Sequence, residues 1–279
     1  MRVCWLWYDL ARDMPTRCAT ATIAGHLGTP LGEFDDDEKN EIEATFAVLT
    51  LGGLAVADAC GSRIQFYSAG LTPFRSIGQE ANLSRPQGLA TDGTHLFVAD
   101  SLTRQIKQIR LNDAVVVDSV LEGLSGHSWP AGLALVRGSK QGGNDDRLYV
   151  ADCGNHRLCT FGVSPLRFIT SIGQRGSAPL EFSSPYGIAV DAGNLFVSDS
   201  GNRRVQVLTL GLELLRCFDV GYSPACIAVR PDGRLLVMSG NGGRVEMTTR
   251  FGSLLQVRLP HVYAVQCTCL HMSSLSTPL

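Results

Sequence analysis

The sequence contains no long apolar run, and none of its apolar segments approaches the roughly 18 residues that a membrane-spanning helix needs. Residues 1–14, MRVCWLWYDLARDM, are interrupted by charged side chains, so they lack the apolar core of a secretory signal peptide. These two absences disfavour a membrane protein and a secreted protein. We therefore expect no membrane partner.

Paired cysteine motifs are also absent. The chain has nine cysteines, which is an odd number, and no Cys-x-x-Cys pair. Disulfide frameworks and zinc modules are recognised by paired cysteines at regular spacings. Without such pairs and without a signal peptide, the thiols are expected to be reduced, and the protein is expected to be cytoplasmic.

An excess of charge of either sign is lacking as well. Lys and Arg number 24 against 26 Asp and Glu, which gives a formal net charge of −2. Nucleic-acid partners usually leave a basic footprint, so the net charge disfavours RNA. A dense acidic run, EFDDDEKNEIE at 33–43, contains no turn glycine of the kind that a calcium loop needs. It is interpreted as a solvated loop.

Recognisable catalytic motifs are missing too. The chain has no G-x-S-x-G, no P-loop and no H-E-x-x-H sequence. We therefore predict no catalytic residue and no cofactor, and the sequence favours a protein without enzymatic activity.

What the sequence does contain is a repeat. LAVADACGSRIQF (54–66) aligns with LFVADSLTRQIKQI (96–109). Further copies are LYVADCGNHRLCTF (148–161), LFVSDSGNRRVQVL (195–208) and LLVMSGNGGRVEM (235–247). The register positions are Asp58, Asp100, Asp152, Asp199 and Ser239, at intervals of 42, 52, 47 and 40 residues. A period of this length is typical of stacked repeat units.

A second motif precedes four of these copies. It reads PQGLA (86–90), PAGLA (130–134), PYGIA (185–189) and PACIA (224–228). Segments such as LFVSD are apolar at successive positions, as expected of strands that are buried on both faces. The Asp, Gly and Asn residues that follow favour turns. Four short antiparallel strands per unit predict an all-β fold, a β-propeller.

VADCGNHRLCTF and VSDSGNRRVQVL resemble the NHL repeat, and the resemblance extends over nearly the whole chain. WD40 repeats are disfavoured because no Trp-Asp pair closes a unit, and kelch repeats because no Gly-Gly doublet recurs in register. The resemblance implies a single NHL-repeat propeller over 1–279 with six four-stranded blades. The expected blades are 44–79, 85–121, 129–174, 184–220, 223–259, and a last one formed by 260–279 plus 1–25.

The two ends of the chain carry the expectation for that last blade. RVCWLWYDLA (2–11) has the character of a third strand, and PHVYAVQCTCLHMSS (260–274) that of a first strand. If both segments complete one blade, no sheet edge stays open at the junction. The rival interpretation is a fragment of a longer protein that begins within a repeat.

An arginine follows the register aspartate in most units. The expected turn pairs are Asp58 with Arg63, Asp100 with Arg104, Asp152 with Arg157 and Asp199 with Arg204. A carboxylate and a guanidinium at such a turn can form charge-assisted hydrogen bonds. Because the pair recurs from unit to unit, it is interpreted as structural and not catalytic.

The resemblance also implies a binding face, which is formed by the links between blades and the turns between second and third strands. The candidate residues on it are Arg85, Gln87, His127, Trp129, Arg175, Tyr186, Tyr222 and His261. Trp, Tyr and Arg are frequent anchors of protein interfaces. Trp129 and Tyr186 each neighbour a proline, so packing between blades is the alternative interpretation for these two.

A weak metal candidate lies near the C-terminal end. Cys267, Cys269 and His271 alternate, so on a strand their side chains would point the same way. Thiolate and imidazole are zinc ligands, but a fourth ligand is not nearby in the sequence. A half-buried strand face is the favoured interpretation, and no metal is predicted.

The predicted function is that of a non-enzymatic platform for protein–protein recognition. The resemblance leaves three alternatives open: substrate recognition for ubiquitination, RNA binding, and a metal-dependent propeller lyase or hydrolase. NHL repeats often accompany RING and B-box zinc modules in ubiquitin ligases, and this sequence has no such Cys/His module. A fold does not by itself fix a function.

Overall fold

The computed structural model describes residues 44–50, 53–70, 72–138, 145–191, 193–230, 232–240, 245–248, 254–255 and 266–267. The predictions for 1–25, 33–43, His261, Cys269 and His271 lie outside these ranges. The described residues form strands and three single-turn 3-10 helices, Gln79–Ala81, Cys153–Asn155 and Ser200–Asn202. Within these ranges, no helix has the length and apolar character needed to cross a membrane.

The strands form five sheets, and each sheet contains four consecutive antiparallel strands, with a fifth, parallel strand added to the first sheet. Sheet 1 contains β1 (Ala44–Thr50), β2 (Gly53–Asp58), β3 (Arg63–Ser68) and β4 (Pro73–Ile77). Sheet 2 contains β5 (Pro86–Thr91), β6 (His95–Asp100), β7 (Gln105–Arg110) and β8 (Val116–Val120). Sheet 3 contains β9 (Pro130–Val136), β10 (Arg147–Asp152), β11 (Arg157–Val163) and β12 (Leu166–Ile172).

Two further sheets follow in the same order. Sheet 4 contains β13 (Pro185–Asp191), β14 (Asn194–Asp199), β15 (Arg204–Thr209) and β16 (Leu214–Asp219). Sheet 5 contains β17 (Pro224–Val229), β18 (Leu235–Ser239), β19 (Val245–Thr248) and β20 (Leu254–Leu255). A last strand, β21 (Gln266–Cys267), joins sheet 1 at its inner edge. The predicted all-β fold is confirmed.

The burial of each strand follows its place in the sheet. β14, NLFVSD, is buried from Leu195 to Asp199 because sheets cover both of its faces. β16, LLRCFD, is the outermost strand of the same sheet and alternates between half-buried and exposed positions. Period-two alternation is expected where only one face of a strand is covered.

Apolar clusters fill the spaces between successive sheets. Phe97 of sheet 2 and Phe161 of sheet 3 belong to one cluster, and Phe196 of sheet 4 and Ile227 of sheet 5 belong to another. The three phenylalanines are fully buried. Each such side chain contributes about 1.5–3 kcal/mol relative to an exposed one. The sheets are therefore held together face to face by their side chains.

The glycine of the Pro-x-Gly motif allows the inner strands to approach closely. A Cβ atom on Gly88 of β5 would lie 2.1 Å from the carbonyl oxygen of Ala131 in β9. One on Gly132 of β9 would lie 2.4 Å from the carbonyl oxygen of Tyr186 in β13. β5 and β9 thus leave room for the backbone of the next inner strand, which explains why their motifs carry glycine at this position, whereas the motif of β17 has Cys226 there.

The strand β21 lies between the first and the last sheet. It pairs in parallel with β1, with Phe46 opposite Gln266 and Ala47 opposite Cys267, and it also contacts β17. β21 therefore connects the inner strands of sheets 5 and 1.

Candidate functional site

The turns between second and third strands and the links between sheets lie at the same end of the strands. We call this side the turn face. It contains the turns 59–62, 101–104, 153–156 and 200–203 and the links 78–85, 121–129, 173–184 and 220–223. The turns between first and second strands and between third and fourth strands lie on the other side, which we call the opposite face.

A buried ion pair fixes the turn face of sheet 4. The Nε atom of Arg204 donates to Oδ2 of Asp199 at 2.8 Å, and the backbone N–H of Ser183 donates to Oδ1 at 2.7 Å. The guanidinium of Arg204 also donates to three carbonyl oxygens of the link before β13, those of Ser177, Ala178 and Glu181. The pair therefore joins the turn to the preceding link.

The same arrangement recurs in sheets 1 and 3. Arg63 donates to Asp58 at 2.9 Å and Arg157 donates to Asp152 at 3.0 Å, in both cases from Nε to Oδ2. Arg157 also donates to the carbonyl oxygen of Gly123 in the link before β9. The aspartates are buried and their oxygens are bound to protein groups. This geometry is that of a structural clamp.

Sheet 2 differs from the prediction. Asp100 accepts from Nζ of Lys107 at 2.8 Å, whereas Arg104 donates from Nη1 to the carbonyl oxygen of Gly126 at 2.9 Å. The expected Asp100–Arg104 pair is therefore wrong. The backbone of Arg104 lies in the left-handed region with φ 58°, and its side chain is exposed. The side chain contacts the link 121–129 and not the carboxylate of Asp100. Lys107 stands in the middle of β7, where it reaches the carboxylate from below the turn.

Between sheets 2 and 3, the turn face presents a cation–aromatic pair made of a half-buried arginine and an exposed tryptophan. The Cζ atom of Arg85 lies 5.2 Å from the centroid of the Trp129 ring, and Trp129 is 36% exposed. A guanidinium at this distance is attracted to the face of an indole. Of the sequence candidates, these two are brought into direct contact.

The aspartates of the two sheets position this pair. The backbone N–H of Arg85 donates to Oδ1 of Asp100 at 2.9 Å, and that of Trp129 donates to Oδ1 of Asp152 at 3.0 Å. Each backbone is thus fixed at the residue immediately before an inner strand, β5 or β9. The side chains are presented from a rigid base, as an interface anchor requires.

Other candidates have different surroundings. His127 and Arg175 are exposed on the turn face. Gln87 is only 3% exposed, and its Oε1 accepts from the hydroxyl of Tyr186 at 2.8 Å. The hydroxyl of Tyr222 donates to the carbonyl oxygen of Val237 at 3.0 Å. The placement of Gln87 among partner-binding residues is corrected by this burial, because almost none of the residue is accessible to a partner.

Sequence reasoning missed three exposed residues of the turn face. Leu102 is 62% exposed, and Arg104 and Arg203 are also exposed. All three lie in the turns that follow the register aspartate. Their exposure could have been predicted from the repeat alignment, because turns between strands usually lie on the surface.

The cysteines lie in contrasting surroundings. Burial raises the pKa of the Cys159 and Cys226 thiols to about 12 in each case. Cys60 and Cys217 are exposed. Across the described ranges, no group of three His, Cys, Asp or Glu side chains is arranged to hold a metal ion. Of the weak zinc candidates, Cys267 is described only as part of β21.

One repeat unit of the chain matches a known family, and the fold as a whole is similar to solved structures. Residues 182–208 match the family model of the NHL repeat. No curated protein matches the chain.

Several solved structures share the fold. A chain of the nidogen–laminin complex has a TM-score of 0.64 and is 16% identical, over 81% of this chain and 84% of that chain. Virginiamycin B lyase from Staphylococcus aureus has a TM-score of 0.60 at 11% identity, over 88% and 75%. Hydrazine synthase of Kuenenia stuttgartiensis has a TM-score of 0.58 at 14% identity, over 84% and 69%. Together with the stacked four-stranded antiparallel sheets, these likenesses show a fold of the β-propeller kind.

Proposed function

We propose that this protein is a non-enzymatic NHL-repeat propeller whose turn face binds other proteins. The observation that carries the proposal is the exposed ring of Trp129 in contact with the half-buried guanidinium of Arg85, with both backbones held by Asp100 and Asp152. Arg and Trp are enriched among the residues that dominate binding energies. A pair that is already ordered loses little conformational entropy when a partner binds.

The surroundings of the pair support a partner with acidic and apolar groups. His127 and Arg104 are exposed near the same link, and Leu102 adds an exposed apolar side chain in the preceding turn. The aspartates of the turns are buried and bound to cations or backbone groups. The exposed ionisable groups around the pair include the basic Arg104 and His127 and one acidic residue of the same link, Glu122.

RNA is a second candidate, favoured by the exposed cations of the turn face. Arg104, Arg175 and Arg203 are exposed there, and Trp129 offers a ring on which a base can stack. The net charge of −2 disfavours this alternative, because binding to phosphates depends on a basic surface. The likeness to a lyase concerns the fold alone and supplies no catalytic residue.

The test is affinity purification of the full chain from lysate, with and without RNase, comparing the wild type with Trp129→Ala. We expect a protein partner that resists RNase and is lost from the variant. Val117→Ser is the matched control, because Val117 is an exposed apolar residue of β8 away from the turn face. Partners that survive in Trp129→Ala would contradict the proposal, and partners that vanish with RNase would favour RNA.

A role in ubiquitination is a narrower form of the same proposal. It requires that the captured partners include a ubiquitin ligase and that the turn face recognise its substrate. Loss of substrate ubiquitination in a reconstituted reaction with Trp129→Ala would support it. If Trp129→Ala retains substrate ubiquitination, the turn face has no role in ubiquitination, and only the proposal of protein recognition stands.

A further inference from the structure

The opposite face carries a groove between sheets 1 and 2 that the proposed function does not use. Its volume is about 690 Å³. The walls come from β3 and β4 of sheet 1 and from two turns of sheet 2, those around Gly93 and Leu111. A groove of this size is comparable to known ligand sites.

The floor of the groove is aromatic. The rings of Phe66 and Phe74 have centroids 6.3 Å apart and are tilted by 55°. Phe66 is buried, but Phe74 is 60% exposed, so its ring contributes an apolar surface that the sheet does not cover. An exposed aromatic anchored on a buried one is a favourable surface for an apolar side chain of a partner.

Among the described residues, the ionisable ones that line the groove are all basic. They are Arg75, His95 and Arg110. Arg110 is paired with Asp113 at 2.8 Å, and Nδ1 of His95 lies 3.1 Å from Oδ2 of Asp92. Arg75 has no carboxylate partner within the described part of the chain.

Arg75 is held in place by neutral groups. Its Nη1 donates to the carbonyl oxygen of Leu111 at 2.6 Å, and its Cζ lies 5.9 Å from the centroid of the Phe66 ring. The guanidinium has five donor hydrogens, so these contacts leave donors for a ligand. A cation fixed in this way over an aromatic ring can bind a carboxylate beside an apolar group.

The groove is open because of a short turn. Gly93, between β5 and β6, has φ +91°, and a Cβ atom added there would meet no other atom within 4 Å. The corresponding connection in sheet 3, between β9 and β10, is longer and includes residues 137–146. Sheet 2 therefore leaves the end of the groove accessible.

We propose that this groove is a second docking surface, which binds an extended peptide segment with an aromatic side chain next to acidic residues. The aromatic side chain packs on Phe66 and Phe74, and the carboxylates face Arg75 and Arg110. The complementarity of charge favours this partner, since Arg75 retains donors for a carboxylate and the described lining residues include no acidic one. His95 and Arg110 add basic character, although each is already paired with a neighbouring aspartate. The site lies on the face opposite to Trp129, so it is independent of the proposed function.

Fluorescence anisotropy of the full chain with a fluorescein-labelled peptide tests the proposal. The probe peptide carries one phenylalanine flanked by two aspartates on each side. We expect Phe74→Ser to weaken its binding by about tenfold, because the exposed ring is lost. Arg110→Gln is expected to weaken it by about threefold, because this residue is at the exposed rim. Arg75 is left unchanged, since its hydrogen bond to Leu111 also joins the two sheets.

Matched controls separate this site from the turn face and from unspecific attraction. Trp129→Ala and Val117→Ser should leave the affinity unchanged, and peptides with serine for phenylalanine or with lysine for aspartate should bind weakly. Equal binding of those peptides, or no loss in Phe74→Ser, would overturn the proposal. A concentration-dependent dimer that disappears in Phe74→Ser, measured by sedimentation velocity, would also overturn it, because the occupant would then be a second copy of the chain.

Discussion

The Nζ atom of Lys107 lies 2.8 Å from Oδ2 of Asp100, and this lysine takes the place that an arginine holds in three other sheets. The cation comes from the strand interior, seven residues after the aspartate, where the other sheets use the residue five positions after it. Lys107 also donates to the carbonyl oxygens of Ala81 and Asn82 in the preceding link. The register aspartate is thus compensated by a cation in all four sheets, but the cation comes from a different position of the repeat in sheet 2.

The first prediction concerns this lysine. Lys107→Met should lower the free energy of unfolding by about 3–5 kcal/mol, because it leaves the buried Asp100 carboxylate without its cation. Urea denaturation followed by circular dichroism measures the change. Arg104→Ala is the control and should cost less than about 0.5 kcal/mol, since its side chain is exposed. A larger loss in the control than in Lys107→Met would contradict the assignment of the pair.

The second prediction ranks the Asp–Arg clamps. Arg204→Ala should destabilise the protein more than Arg63→Ala, because Arg204 is buried and also binds three link carbonyls. The side chain of Arg63 is 39% exposed, so water can replace part of its interaction with Asp58. Thermal unfolding of the two variants gives the order. Equal losses would mean that the link contacts of Arg204 add nothing to the ion pair.

The third prediction tests the close approach of the inner strands. Gly132→Ala should lower the free energy of unfolding by about 1–3 kcal/mol, because the new Cβ would lie 2.4 Å from the Tyr186 carbonyl oxygen and the backbone must move. Gly211→Ala is the matched control, since its nearest neighbour would be Oγ1 of Thr209 at 3.5 Å. Chemical denaturation of both variants is the measurement. A neutral Gly132→Ala would show that β9 and β13 can separate at little cost.

The fourth prediction concerns the thiols. At about pH 8, iodoacetamide should modify Cys60 and Cys217 first, because these side chains are exposed and thiolates are the reactive species. Burial raises the pKa of Cys159 and Cys226 to about 12, so both remain protonated and inaccessible until the protein unfolds. Mass spectrometry of peptides from native and urea-treated samples distinguishes the two classes. Modification of Cys159 in the native protein would contradict its burial.

The strand pattern could be predicted from the sequence because it repeats. Segments such as LFVSD begin with successive apolar residues, which is expected only if both faces are covered, and β14 is buried in that way. The fold class follows from five such segments with turn residues between them. The repeat also indicated which face holds the turns, since antiparallel strands place alternate connections at opposite ends.

The details of the sites could not be predicted in the same way. The pairing of Asp100 with Lys107 depends on how a long side chain crosses the sheet, and the repeat alignment places Arg104 nearer in sequence. Gln87 is buried, and it accepts a hydrogen bond from Tyr186. Tyr186 is far away in the chain and belongs to sheet 4, which is not adjacent to sheet 2. The groove beside Phe74 results from two short turns of another sheet. Such contacts are set by tertiary geometry, which local sequence does not encode.

The position of β21 beside β1 has a consequence for synthesis of the chain. β1 emerges from the ribosome long before Gln266 and Cys267, which are its parallel partners. During elongation each of the first four sheets can pack against the next as soon as both are made, because those contacts follow chain order. The inner edge of β1 must wait, so its backbone groups stay available to other strands until residues 266 and 267 have been made. Slow translation of the residues between β1 and β21 would prolong this interval and increase aggregation.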